Sequence, residues 1–374
     1  MKSKPSLFGF ILVSLLAAPF VTADDIVVGE VGSLTGGEAT FGTSTHKGVE
    51  LATKKINAAG GIHGKKIKVM TLDDQGKPEE AATAVTKLIT QDKVVALLGE
   101  VASTRSLAMA PIAQANKIPM ITPSSTNPKV TQVGTYIFRV CFIDPFQGSV
   151  MAKFAANSLK VKKVAILRDI KNDYSVGLAN FFTETFKKSG GEIVGDISYA
   201  SNDVDFKSQL TSLKGKKPEA LFVPGYYTEV GLIARQAREM GIKVPLLGGD
   251  GWDSEKLTEI GGSALNGSFF SNHYSPDDTS SAVQNFIKEF QAEYKTIPDG
   301  LAAMGYDAAM VLYDAMKKAK SLKGDDLRKT IAETKQYPGV TGQITINKNR
   351  DAEKSAVIIE IKNKKYTFKE KINP

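Results

Sequence analysis

The stretch "LLGGDGWDS", residues 246–254, sets Asp250 between glycines, straight after an apolar run and just before the only tryptophan, Trp252. A carboxylate at the end of a buried strand can hold a cation or an ammonium group. It can equally be a turn residue, since Asp and Gly both favour turns. Other residues able to do chemistry are sparse. His46, His63 and His273 are far apart in the chain, and none has another histidine or a cysteine three or four residues away. "GEVGSLTGG" (29–37) is glycine-rich but lacks the G-x-G-x-x-G spacing, and no G-x-x-x-x-G-K-[ST] occurs. Asp73 and Asp74 adjoin, yet neighbours on a strand point to opposite faces. Cys141, the one cysteine, stands between Val140 and Phe142 and reads as a small buried hydrophobe. No metal, cofactor, nucleotide or catalytic constellation is therefore expected.

The N-terminus points to export. Lys2 and Lys4 precede the apolar run "LFGFILVSLLAAPF" (7–20), and "VTA" ends in small residues. This is the pattern of a secretory signal peptide, with cleavage expected after Ala23. The run is too short, and too interrupted by Ser14 and Pro19, for a spanning helix of roughly 20 residues. An exported chain with a single cysteine has no internal disulfide to rest on, so its fold must rest on a core. Its length suits two domains. The net charge of +8 becomes +6 without Lys2 and Lys4, and the lysines are scattered among acids. No basic stripe with interleaved aromatics marks a nucleic-acid partner.

The elements that would position Asp250 alternate strand and helix. "IVVGEVG", "KKIKVMTLDD", "VVALLGE" and "IPMITP" read as strands separated by helical patterns. A second series runs through "KKVAILRD", "EIVGDISY", "EALFVPG" and "VPLLGG". Continuous apolar strands between helices imply parallel sheets covered on both faces, here two doubly wound α/β lobes. Two later helical segments, 279–294 and 301–320, have no strand series of their own and are expected to return to the first lobe. The tail strands "GQITIN" and "SAVIIEIKN" are expected to complete the sheets.

Ligands of open parallel sheets bind beyond the carboxyl ends of the strands. The loops found there are "SLTGGEATFG", "EVASTRS", "TPSSTNP", "RDIKNDYSVG", "PGYYTEV" and "GDGWDS". They offer hydroxyls, aromatics, exposed backbone and one notable acid, with no basic cluster.

Taken in order, "VGSLTG…FG", "INAAGGIHGKKI", "DDQGKPEEA", "ITPSST", "DYSVG", "PGYYTE" and "GGDGW" resemble the periplasmic branched-chain amino-acid binding proteins of ABC transporters, over essentially the whole mature chain. The resemblance implies a type I fold: two lobes joined by a three-crossing hinge that close on an amino acid. The implied N-terminal lobe is 24–144 plus 272–348, and the C-terminal lobe 145–271 plus 349–374. It implies that Ser103, Ser124 and Thr126 hold the ligand's α-carboxylate, and that Asp250 holds its ammonium with help from Tyr226. Phe41, Val101, Tyr174 and Trp252 would line the side-chain pocket. Phe41 stands where family members often carry tyrosine, and Trp252 is less typical of leucine-binding members. The implied product is a monomeric periplasmic receptor that delivers a neutral apolar amino acid to a membrane permease. Alternatives are a sensory module feeding a signalling receptor, or a receptor for another small carboxylate or amide. Intact-mass measurement of exported protein is expected to give a chain beginning at Asp24; a mass beginning at Met1 would overturn the signal assignment.

Overall fold

The first sheet gathers five short strands: β1 (Ile26–Gly32), β2 (Ile67–Asp73), β3 (Leu97–Leu98), β4 (Met120–Thr122) and β5 (Ile137–Arg139). All pair in parallel, in the order β2-β1-β3-β4-β5. These coordinates are a computed structural model describing residues 25–373, so the expected signal peptide lies outside the described residues. Alternation along the strands sends successive side chains to opposite faces. Val28, Leu98, Ile121 and Phe138 pack with the helices Ala39–Ala58 and Gly300–Lys318 on one face. Leu97, Met120 and Ile137 pack with Pro78–Thr90 and Ser103–Ala115 on the other.

The second lobe begins with β6 (Lys163–Asp169), β7 (Glu192–Tyr199), β8 (Ala220–Phe222), β9 (Leu246–Gly248) and β10 (Ser268–Asn272), which are parallel in the order β7-β6-β8-β9-β10. The chain then returns to the first lobe. Helices Ser281–Tyr294 and Gly300–Lys318 bury Phe286, Phe290, Leu312 and Met316 in the cluster that covers the first sheet. Glycines let the helices approach: a Cβ at Gly48 would lie 2.0 Å from the Ala302 carbonyl oxygen, and one at Gly305 2.4 Å from that of Thr45.

The tail departs from expectation in one element. "GQITIN" joins neither large sheet. β11 (Tyr337–Gly339), β12 (Gly342–Ile346) and β13 (Ala352–Glu353) form a small antiparallel sheet of their own. The reason is visible in β12, where Ile344 and Ile346 are buried while Gln343 and Thr345 are not. Such alternation suits a one-faced antiparallel sheet, not a strand covered on both sides. "SAVIIEIKN" does complete a large sheet: β14 (Ala356–Lys362) runs antiparallel beside β10, and β15 (Lys365–Ile372) lies outside it. The chain thus passes between the sheets three times, after β5, after β10 and between β13 and β14.

Trp252 lies in the core of the second lobe, not at a pocket. It has no solvent exposure, its Nε1 donates to the Val223 carbonyl at 3.0 Å, and its ring packs near Phe270. A Cβ at Gly248 would come within 2.1 Å of the indole. Asp250–Trp252 form a single 3₁₀ turn. At three residues per turn, residue 252 points well away from residue 250. Trp252→Phe removes the indole donor to the Val223 carbonyl, which keeps the Gly225 amide at 2.9 Å, and leaves unfilled volume in a close-packed core, so urea unfolding followed by far-UV circular dichroism should show a loss of about 1–3 kcal/mol. Unchanged stability would contradict this placement.

Candidate functional site

Loops at the carboxyl ends of both parallel sheets face each other and enclose a small cavity. It is walled by Phe41, Val101, Ser103, Ser124 and Leu301 from the first lobe, and by Tyr174, Tyr226, Asp250 and Gly251 from the second. Seven of the nine residues proposed from the sequence therefore meet at one place. Trp252 and Thr126 do not line it. The cavity adds Gly251 and Leu301, which sequence reasoning did not single out.

The first-lobe wall is fixed by a buried polar frame. Glu100 accepts from the Ser33 amide (3.2 Å) and hydroxyl (3.1 Å) and pairs with Arg105 at 3.1 Å, which also reaches Glu38 at 2.7 Å. The frame holds the turn into helix Ser103–Ala115, for which Ala102 is the N-cap and Ser103 the first helical residue. A helix start of this kind carries free N–H groups and the positive end of the helix dipole. After β4, the Ser125 hydroxyl donates to the Glu100 and Val101 carbonyls at 3.0 and 2.9 Å. The fully buried Arg139 guanidinium donates to the Ser125 and Asn127 carbonyls and pairs with Asp351 at 2.6 Å. Arg139 therefore braces the loop from behind and takes no place in the cavity. Cys141 lies under the same loop, its thiol pushed up to about 12 by burial.

The second-lobe wall explains the glycines around Asp250. A Cβ at Gly249 would strike the Tyr174 hydroxyl at 2.4 Å and Gln147 Oε1 at 2.7 Å; one at Gly251 would strike Tyr226 at 2.8 Å. Close approach of the backbone, not turn formation alone, requires glycine on both sides. The Asp250 amide donates to Gln147 Oε1 at 2.8 Å, and the Gly251 amide to the Tyr174 hydroxyl at 3.2 Å. Tyr174 is set by its helix start, where Asn172 accepts its amide at 3.0 Å. The Tyr174 and Tyr226 rings stack at 5.3 Å, and Phe41 meets Tyr226 edge-on at 5.2 Å from the other lobe.

Asp250 is 5 % exposed, and its two oxygens differ. Oδ2 accepts from the Ser124 hydroxyl at 3.2 Å and lies 3.0 Å from His273 Nε2. Oδ1 is buried with no partner among the described residues. Ser124, expected at a carboxylate, thus contacts the acid itself. Ser103 Oγ accepts from the Asn127 amide at 3.2 Å, and the Thr126 hydroxyl is buried with no hydrogen-bond partner among the described residues. Burial pushes the Asp144 carboxyl up to about 8, with Asp250 adding to the rise, so Asp144 is held neutral near pH 7. Burial likewise raises Tyr174 and Tyr226, which stay as hydroxyl groups.

The sequence reading missed Gln147 and His273. Gln147 precedes the second strand series and carries no local signal. His273 follows β10 directly, and recognising "SFFSN" as a strand would have put it among the loop residues at the carboxyl edge. Among the described residues, no group of three His, Cys, Asp or Glu side chains is placed to share a metal ion, and no helix is long and apolar enough to cross a membrane.

Known proteins share this fold. Residues 25–366 match the family described as periplasmic binding protein. A Leu/Ile/Val-binding protein of Rhizobium johnstonii is 32% identical over 348 residues, 91% of this chain and 92% of that one. The crystal structure of a leucine binding protein from Thermotoga maritima aligns with a TM-score of 0.90 at 40% identity, covering 93% of this chain and 99% of that one. The branched-chain amino acid transporter substrate binding protein of Streptococcus pneumoniae, in complex with isoleucine, aligns at 0.89 and 35% identity, covering 94% and 100%. The family match runs through both sheets and all three passes between them, and the chain belongs to the periplasmic binding proteins.

Proposed function

We propose that the protein is the receptor of an ABC importer, capturing a neutral α-amino acid with an apolar side chain between its lobes and delivering it to a membrane permease. The observation that carries this reading is the buried Asp250, whose Oδ1 has no partner among the described residues. A buried carboxylate is costly without a counter-charge, and a ligand ammonium supplies one. Opposite it, the start of helix Ser103–Ala115 and the Ser103 hydroxyl offer donors to a carboxylate without an arginine. Phe41, Val101, Leu301, Tyr174 and Tyr226 leave an apolar and aromatic wall for the side chain. The names of the relatives, leucine and Leu/Ile/Val binding, agree with that chemistry. Leucine, isoleucine, valine and phenylalanine are the expected ligands, in that order.

The family places such receptors in the periplasm. Cleavage after Ala23 and a monomeric product complete the proposal. A sensory role would use the same ligand site with a different membrane partner, and a genomic neighbourhood of permease and ATPase genes would favour transport.

Two measurements test the reading. Removing one member of a buried charge pair costs roughly 2–5 kcal/mol. Asp250→Ala should therefore weaken leucine binding by at least about 30-fold in calorimetry, with Asp250→Asn in between; equal binding by Asp250→Ala would reduce Asp250 to a turn residue. Saturating ligand should also shrink the radius of gyration in small-angle scattering, because contacts to both lobes favour the closed arrangement. Superimposable curves with and without ligand would count against a clamp.

A further inference from the structure

His273 is the buried group that the amino-acid site leaves unexplained. It begins the second of the three passes between the sheets, directly after β10. Its ring stacks on Phe142, 3.7 Å between centroids, and Phe142 belongs to the first pass. His273 therefore sits where the first two connecting segments meet, with Nε2 3.0 Å from Asp250 Oδ2 and 3.3 Å from Ser124 Oγ.

The geometry also selects the protonation state. Nδ1 is buried with no partner among the described residues. An imidazolium would bury a second N–H with nothing to accept it. Burial itself disfavours the charged form against the pull of Asp250. The tautomer consistent with this network is neutral, with the proton on Nε2 and donated to Asp250. A neutral donor fixes the carboxylate without neutralising it, whereas a lysine or arginine there would compete with a ligand ammonium.

We propose that His273 is a positioning residue for amine recognition: its Nε2–H holds Asp250 so that Oδ1 faces the ligand. Three restraints act on Asp250, two from its own lobe and one from the other. Gln147 holds its amide from the second lobe, Ser124 its Oδ2 from the first, and His273 the same oxygen from the end of β10, the strand beside β9. Only when the lobes meet are all three satisfied. The specificity that follows is for ligands bearing an α-ammonium over carboxylates of the same skeleton without one. The inference rests on the amino-acid reading above.

The test compares L-leucine with 4-methylpentanoate, the same skeleton lacking the amino group, by calorimetry. Wild type should prefer leucine by at least about 30-fold, the size expected for a buried charge pair. His273→Phe keeps an aromatic ring against Phe142 but has no donor, and should reduce that preference by about tenfold or more. His273→Gln restores an N–H donor and should recover most of it. If His273→Phe does not fold, His273→Asn, whose amide stops short of Asp250, must show the loss instead. An unchanged preference, or equal weakening of both ligands with no rescue by glutamine, would overturn the positioning role. A wild type with no preference for the amine would overturn the amino-acid reading itself, so the two failures are distinguishable.

Discussion

A carboxylate closed off from water between two lobes is the constraint around which this molecule is arranged. Among the described residues Asp250 has one oxygen hydrogen-bonded, to the Ser124 hydroxyl and the His273 imidazole, and the other without a partner. Desolvating such a group without a counter-charge costs several kcal/mol. The surroundings keep the remaining demand specific. Asp144, the nearby acid, is held neutral by burial and so does not add a second negative charge near pH 7. Arg105 and Arg139, behind the first-lobe wall, are committed to Glu100, Glu38 and Asp351. What the site still asks for is a positive group on the ligand, with a carboxylate for the helix start opposite.

The two walls meet that demand by different means. The first-lobe loops are rigidified by buried charge and hydroxyl networks behind the cavity, so the donors at the start of helix Ser103–Ala115 are preorganised. The second-lobe wall depends on packing: glycines at 249 and 251 admit the Tyr174 and Tyr226 side chains against the backbone beside Asp250. Contacts between the walls, including Phe41 against Tyr226 and the Thr40 amide on the Tyr227 hydroxyl at 3.2 Å, form only where the lobes touch. A ligand that bridges the walls adds its own contacts to these, and its differential binding favours closure.

Much of this was legible in the sequence because parallel strands buried on both faces leave unbroken apolar runs, and the loops after them carry the site. Asp250, Tyr174, Tyr226, Phe41, Val101, Ser103 and Ser124 all follow from that rule together with the family resemblance. The failures have physical causes. Trp252 is adjacent to the site in sequence, but a 3₁₀ turn rotates it into the core. "GQITIN" has the length of a sheet strand, but its alternation belongs to a one-faced antiparallel sheet. β5 and β10 are three and five residues long, too short for periodicity to separate them from loop. His273 was hidden for that reason, since its place is defined by the end of β10.

The position of His273 gives the hinge a chemical stake in the ligand. A hinge made only of connecting backbone would respond to ligand solely through contacts between the lobes. Here one connecting segment begins with a donor to the acid, and a second carries the ring on which that donor's imidazole stacks. Rotation of the lobes that separates Ser124 from Asp250 also alters the surroundings of His273, so the carboxylate's orientation and the interlobe angle are not independent variables. An ammonium bound at Oδ1 stabilises the arrangement in which Oδ2 is held, and that arrangement includes the closed hinge. A ligand without the amine can fill the apolar wall, but it leaves Asp250 uncompensated and the closed form correspondingly less favourable.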